Sequence, residues 1–242
     1  MVQKALYPEG EEVCQNIIVH PPAGVAGGDR LALEVTAGRN ARVQLTTPGA
    51  AKWYRSTGAP ATQSLHFSVA TEAVLEWLPQ ETIVFDGAVA ELDTQIVLAR
   101  DAIFIGWEIV CLGRRFAGER FAKGRLAQRL VARRDGVRQW IERARFDAGS
   151  ALLESPVGLA SQSVFGTLLA LLPLVPDRVV VACREVGSET GEVAITHLPG
   201  VLLARYRGDS AEAARNYFTA IWGSLRPATV GREAIPPRIW NT

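Results

Sequence analysis

Three cysteines, three histidines and one methionine are all the soft-ligand chemistry in 242 residues. Cys14, Cys111 and Cys183 are odd in number, far apart and set in apolar sequence, which argues against a disulfide framework and for packed, reduced thiols in a cytoplasmic compartment. His20, His66 and His197 stand singly, and no CxxC, HxH or HExxH spacing occurs, so no closed zinc site is encoded. Charge of one sign is also missing. The 26 basic and 25 acidic side chains leave a net +1, which removes the global electrostatic footprint of a nucleic-acid or anionic-membrane binder. Long hydrophobic runs are missing too. The longest, around Phe165 to Val175, contains Gly166 and Pro173 and is too short to span a bilayer, and no charged leader with an apolar stretch opens the chain. Neither nucleic acid nor membrane is an expected partner. Catalytic signatures are absent as well: there is no GxSxG elbow, GxGxxG turn or GxxxxGK[ST] loop. The expectation is a protein that is not an enzyme.

What remains is ordinary globular material, 48% hydrophobic and 21% charged, without low-complexity segments, internal repeats or a linker long enough to separate domains. One domain over 1–242 is expected. Leu31, Leu33 and Val35, then Leu65, Phe67 and Val69, then Leu75 and Trp77 alternate with smaller or polar residues, the period of half-buried strands. In "AIFIGWEIV", Ile103, Ile105, Trp107 and Ile109 share one face and Phe104, Glu108 and Val110 the other, so both faces are apolar except for one acid. Asp135-Gly136 between two strand-like arms is a hairpin signal. Residues 161–172 carry apolar positions at helical spacing and stop at Pro173, and Asp209 with Glu212 resembles a capping box ahead of a stripe ending at Leu225 before Pro227. Between these two expected helices, "RVVVACREV" and "GVLLARYRG" read as strands.

The stretch "HPPAGVAGGDR", His20 to Arg30, is the densest punctuation in the chain. A small-molecule or phosphate-handling enzyme using the glycine-rich turn at 24–29 is the alternative reading, although no helical pattern follows to supply a positive N-terminus. The turn otherwise presents Asp29 at a fixed place, or Asp29 simply caps it. Glu108 and Glu142 sit in strands among bulky apolar neighbours, where an ionised carboxylate needs a partner or water. Arg114, Arg115 or Arg143 could be that partner; a water-filled passage sharing Asp29 and Glu12 is the other solution. Lys52, Tyr54 and Arg55 could contact a partner protein or end a strand, and Arg238 with Trp240 reads as a pinned tail or an interface.

"YPEGEEVCQNIIVHPPAGVAGGDRL", "LTTPGAAKWYRS", "LEWLPQETIVFDGA", "CLGRRFAGERF" and "WGSLRPATVGREAIPPRIWNT" resemble, in order and over essentially the whole length, the urease accessory protein family UreD (UreH). The resemblance implies a mainly β fold, two-layered and antiparallel with β-helix-like sheets and about two α-helices. It implies a non-catalytic scaffold that joins UreF and UreG on the urease structural subunits and delivers nickel. No cofactor would be tightly bound; nickel would be cargo in transit through an internal tunnel. Glu12, Asp29, Glu108 and Glu142 become candidate wall acids, weak oxygen ligands suited to passing an ion on. Lys52, Tyr54, Arg55, Arg238 and Trp240 become candidate partner contacts. Family members usually carry a few tens of residues before "VQKALYPEG". If those supply strands, the expectation is an unpaired sheet edge near Val2 to Leu6.

Overall fold

The structure, a computed structural model, describes residues 1–22 and 24–241. Ala23, within the glycine-rich stretch, lies outside them. Nine strands form a large sheet: β1 (Cys14–Ile17), β3 (Arg42–Thr46), β4 (Ala51–Trp53), β6 (Val74–Leu78), β7 (Thr82–Val84), β9 (Ile103–Leu112), β12 (Val164–Leu171), β13 (Glu192–Leu198) and β14 (Val201–Gly208). Five form a smaller sheet: β2 (Arg30–Ala37), β5 (Ala61–Val69), β8 (Val89–Leu98), β10 (Arg125–Arg134) and β11 (Val137–Asp147). The chain shuttles between the sheets, so each strand meets its neighbour one coil later. β2, β5, β8 and β10 therefore stack in parallel, as do β3, β6 and β9. β2, β5 and β8 start at residues 30, 61 and 89, a coil spacing that no sequence repeat announces.

The mainly β, two-layered, β-helix-like architecture is the one expected; antiparallel pairing is not its rule. Among the described strands eight pairings are parallel. Four are antiparallel, all involving β10 to β14. The physical reason is the shortage of tight turns, because antiparallel neighbours need hairpins and parallel ones need long crossovers. The Asp135-Gly136 hairpin is present: both residues have positive φ, 47° and 77°, as a two-residue type I′ turn requires. Val2 and Leu6 bridge antiparallel to Ile18 and Gln15, and Gln3 donates to the Ile17 carbonyl at 3.0 Å, so this stretch lines the outer side of β1 at the end of the large sheet.

Helices are where sequence periodicity misleads. Residues 161–172 do not form a helix: Val164–Leu171 is β12, clamped between β9 and β14 with Leu168, Leu169, Ala170 and Leu171 all buried. A strand covered on both faces reads as a continuous apolar run, in which periods of 2 and 3.6 cannot be separated. "RVVVACREV" is not a strand but α2 (Asp177–Glu185), which buries Val179, Val180 and Cys183 on one face. Packing of that face overrides the strand preference of three valines. A single turn, α1 (Ala151–Glu154), precedes β12, and α3 (Ala211–Thr229) is the long helix expected. Its cap is Ser210, whose Oγ accepts from the Ala213 N–H at 3.1 Å; Asp209 instead accepts from Ser163 and pairs with Arg115. Pro227 lies inside the last turn rather than beyond it.

α2 and α3 cover the outer face of the large sheet through Ile105, Trp107, Ile109, Phe218 and Trp222. The space between the sheets holds two further clusters, one around Phe67, Phe104 and Leu171, the other around Ala90, Val110 and Phe146. β9 thus serves both faces of its sheet, as its sequence says.

Candidate functional site

Those two inter-sheet clusters do not fill the interior. Between them lies a cavity of about 530 Å³ whose wall includes Glu108, Gln128, Glu142, Thr167 and Arg205. Strand register assembles it. Glu108, Thr167 and Arg205 are neighbours across β9, β12 and β14, while Gln128 and Glu142 come from β10 and β11 of the facing sheet. Period-two alternation places each of these polar side chains on the inner face, interrupting apolar rows.

Glu108 is enclosed by protein, and the surface it keeps faces the cavity. Gln128 Nε2 donates to its carboxyl at 2.9 Å, and it has no ion-pair partner among the described residues. Burial pushes the carboxyl up to about 7; the Gln128 hydrogen bond opposes that rise and the Glu142 charge adds to it. Glu142 sits in a different setting: Arg205 donates to it at 2.8 Å, and the two side chains are 29% and 44% exposed. Trp140 Nε1 lies 3.4 Å from the second Glu142 oxygen. The pair therefore stands at the mouth, with Glu108 inside. None of the arginines considered as partners serves these acids. Arg114 pairs with Glu119, Arg115 with Asp209, and Arg143 has no partner among the described residues.

Two expected wall acids lie elsewhere. Asp29 is exposed and accepts from the Ala26 N–H at 2.9 Å, so it caps its own turn. The Gly28 N–H goes to the Pro60 carbonyl and the Asp29 N–H to that of Ala26, which leaves three amides of the turn spent on protein rather than on an anion. Close packing accounts for Gly24, because a Cβ there would stand 2.2 Å from the Tyr54 ring. Glu12 pairs with Arg232 on the surface, beside a shallow groove it shares with Tyr7 and Cys14.

Of the expected partner contacts, Lys52 is exposed on β4, Tyr54 packs edge-on against Phe85 with centroids 5.2 Å apart, and Arg55 lies 3.8 Å from Asp86. Phe116, fully exposed on the loop after β9 that Glu119 ties to Asp86, escaped notice among its basic neighbours. Trp240 donates to Thr46 Oγ1 at 2.7 Å and packs on Trp107 at 5.8 Å, so it pins the tail; Arg238 is exposed.

A second polar cluster was missed altogether. Glu76 on β6 is 2% exposed, accepting from Trp222 Nε1 at 2.6 Å and Arg226 Nε at 3.1 Å; Arg226 also grips Glu9 at 2.8 Å. The signals were present: one acid inside "LEWL", and an arginine one turn beyond Trp222 on the apolar stripe of α3.

Two of the thiols are held by packing. Burial pushes Cys111 up to about 12, with Glu81 adding to it, and Cys183 up to about 11. Among the described residues no group of three or more His, Cys, Asp or Glu is placed to hold a metal ion, and no helix is long and apolar enough to cross a membrane.

Fold and site together define a two-sheet β-solenoid-like protein with a largely apolar interior cavity into which a few polar and acidic side chains project. The chain belongs to the UreD urease accessory protein family, whose model matches residues 1–241. It is 55% identical to a urease accessory protein UreD of Dechloromonas aromatica (strain RCB), over all of this chain and 85% of that protein. It is 52% identical to one from Azoarcus sp. (strain BH72), with the same coverage, and 53% identical to one from Nitrosococcus oceani over 81% of that protein. An accessory role for urease, and dealings with urease components, follow from that membership.

Proposed function

We propose that this chain is a non-catalytic maturation scaffold that assembles with UreF and UreG on apo-urease in the cytoplasm and passes nickel toward the urease active site through the inter-sheet cavity. The observation that carries this reading is Glu108: a cavity-facing carboxyl, enclosed by protein, with a glutamine beside it and no cation to neutralise it among the described residues. A buried acid held only for structure is normally ion-paired. Nickel(II) in transit needs oxygen ligands that hold it briefly, and a carboxylate, an amide and a hydroxyl supply them without the imidazole and thiolate donors that would trap it. With its carboxyl near neutrality, Glu108 exchanges a proton for the arriving ion, and Gln128 keeps the carboxylate aimed. At the mouth, Arg205 must swing from Glu142 before that acid can meet a cation. Glu142 therefore acts as a gatekeeper whose resting partner is internal.

The test replaces each acid by its amide. Glu108→Gln should leave soluble yield and UreF copurification intact while urease recovered from the same cells carries several-fold less nickel. Asp29→Asn, outside the cavity, should deliver normally. Fully nickel-loaded urease from a Glu108→Gln/Glu142→Gln protein would overturn the passage.

A further inference from the structure

The outer face of the β10–β11 hairpin carries a cost that packing does not explain. Alternation along the two strands turns Arg125, Arg129, Arg133, Arg143 and Arg145 outward, and the bulge in the register at Ala132/Arg133 brings Arg138 to the same face. Three of them are satisfied locally: Arg125 by Glu91 at 3.5 Å, Arg129 by Asp93 at 2.7 Å and Arg145 by Asp147 at 2.7 Å. Arg133, Arg138 and Arg143 have no hydrogen bond or ion pair among the described residues. Register sets Arg129 directly across from Arg143, and Arg133 directly across from Arg138. Like charges facing each other across an antiparallel pair destabilise it. Further along the second row stand Val97 on β8, Ser68 on β5 and Thr36 on β2, so no acid in the row offsets it.

Apolar side chains share this surface. Between the two arginine rows lies the row Val131–Ile141, in which Ile141 is 41% exposed, and Val97, 40% exposed, extends the second row onto β8. Neither long helix covers this sheet, since α2 and α3 pack on the other one. The patch is thus two guanidinium rows, about 13 Å apart along the strands at ~3.4 Å per residue, with aliphatic carbon between them.

We infer that this face is a docking surface for an acidic protein segment in which two carboxylate clusters flank an apolar residue. Charge complementarity selects the sign of the partner, because unpaired arginines present planar forks that grip carboxylates bidentately. The aliphatic component selects protein over nucleic acid: Ile141 and Val97 gain only by burial against carbon, and a phosphate backbone would leave them against charged oxygens. The whole-chain charge of +1 gives no long-range field to gather DNA or RNA. This surface is on the opposite side of β10 and β11 from the cavity, so the inference stands apart from the nickel passage.

The probe is a fluorescein-labelled peptide, Glu-Glu-Ser-Leu-Ser-Glu-Glu, titrated by anisotropy with the full chain at low salt. Comparison ligands are the same peptide with Gln for every Glu, the same peptide with Ser for Leu, and a short DNA duplex. Arg138→Glu/Arg143→Glu removes the gripping charges and also converts both like-charge pairs into opposite ones, so its thermal midpoint should hold or rise while affinity for the peptide falls about tenfold or more. Arg178→Glu, an exposed arginine on α2, makes a single reversal elsewhere and should bind as the parent does. Loss of binding on Glu-to-Gln exchange in the peptide, and a weaker loss on Leu-to-Ser exchange, support the inference. It is overturned by equal affinity of parent and double variant, by indifference to the leucine, by tighter binding of the duplex, or by a lowered midpoint in the double variant, which would make these arginines structural.

Discussion

Glu108 and Glu76 are both carboxyls raised by burial, and what faces them separates their roles. Glu76 meets Arg226 and Trp222, which pull its carboxyl back toward the charged form, whereas Glu108 meets an amide and open space. An acid held at about 7 in the folded chain and ionising near 4.5 when unfolded binds more protons folded than unfolded across that window. Stability therefore falls as pH rises from about 4.5 to about 7 and is flat beyond. Glu108→Gln should remove that slope: its unfolding free energy in urea should exceed the parent's above pH 7, by on the order of 3 kcal/mol, and converge with it near pH 4. A parallel pair of pH curves would refute the assignment. Arg226 behaves oppositely. With its side chain 0% exposed between two acids, Arg226→Met should cost about 3 to 5 kcal/mol in chemical denaturation by leaving Glu9 and Glu76 unmatched, and adding Glu76→Gln should restore some of it. Glu108 was legible in the sequence because it was the one acid on a strand apolar on both faces. Its true companion was not, since a hydrogen bond from Gln128 depends on a register between β9 and β10 that crosses from one sheet to the other.

At the scale of elements, turn chemistry was readable and burial was not. Asp135-Gly136 fixed a hairpin because φ of 47° and 77° suits few other pairs; Gly136→Ala should lower stability by about 1 kcal/mol, measurable as a shifted thermal midpoint, with strand content by circular dichroism unchanged. β12 and α2 were exchanged in kind for reasons that share one cause. Local pattern reports how many faces are apolar, and that number depends on neighbours the pattern does not contain. β12 is covered by the small sheet and by α3, so its leucines carry no phase; α2 has a single covered face, yet its valines resemble a strand. The long amphipathic α3 was legible because one wide stripe facing one sheet leaves its phase intact.

At the scale of the molecule, the sequence showed two faces to every early strand but not that coils stack in parallel. Nothing within one coil records the register of the next. In a stacked array each coil is stabilised mainly by its immediate neighbours, and such arrays come apart from their ends. Here one side chain joins distant regions: Arg226, on the last long helix, binds Glu9 before the first coil and Glu76 within the second. The two contacts span 217 and 150 residues. That separation becomes an interval of time during synthesis. At roughly 5 to 20 residues per second, the 150 residues between Glu76 and its arginine take about 8 to 30 seconds to make. For that interval the second coil either keeps a protonated glutamic acid or stays open to water at β6, so the outer layer of this protein closes late, when α3 swings onto a sheet that has already been laid down.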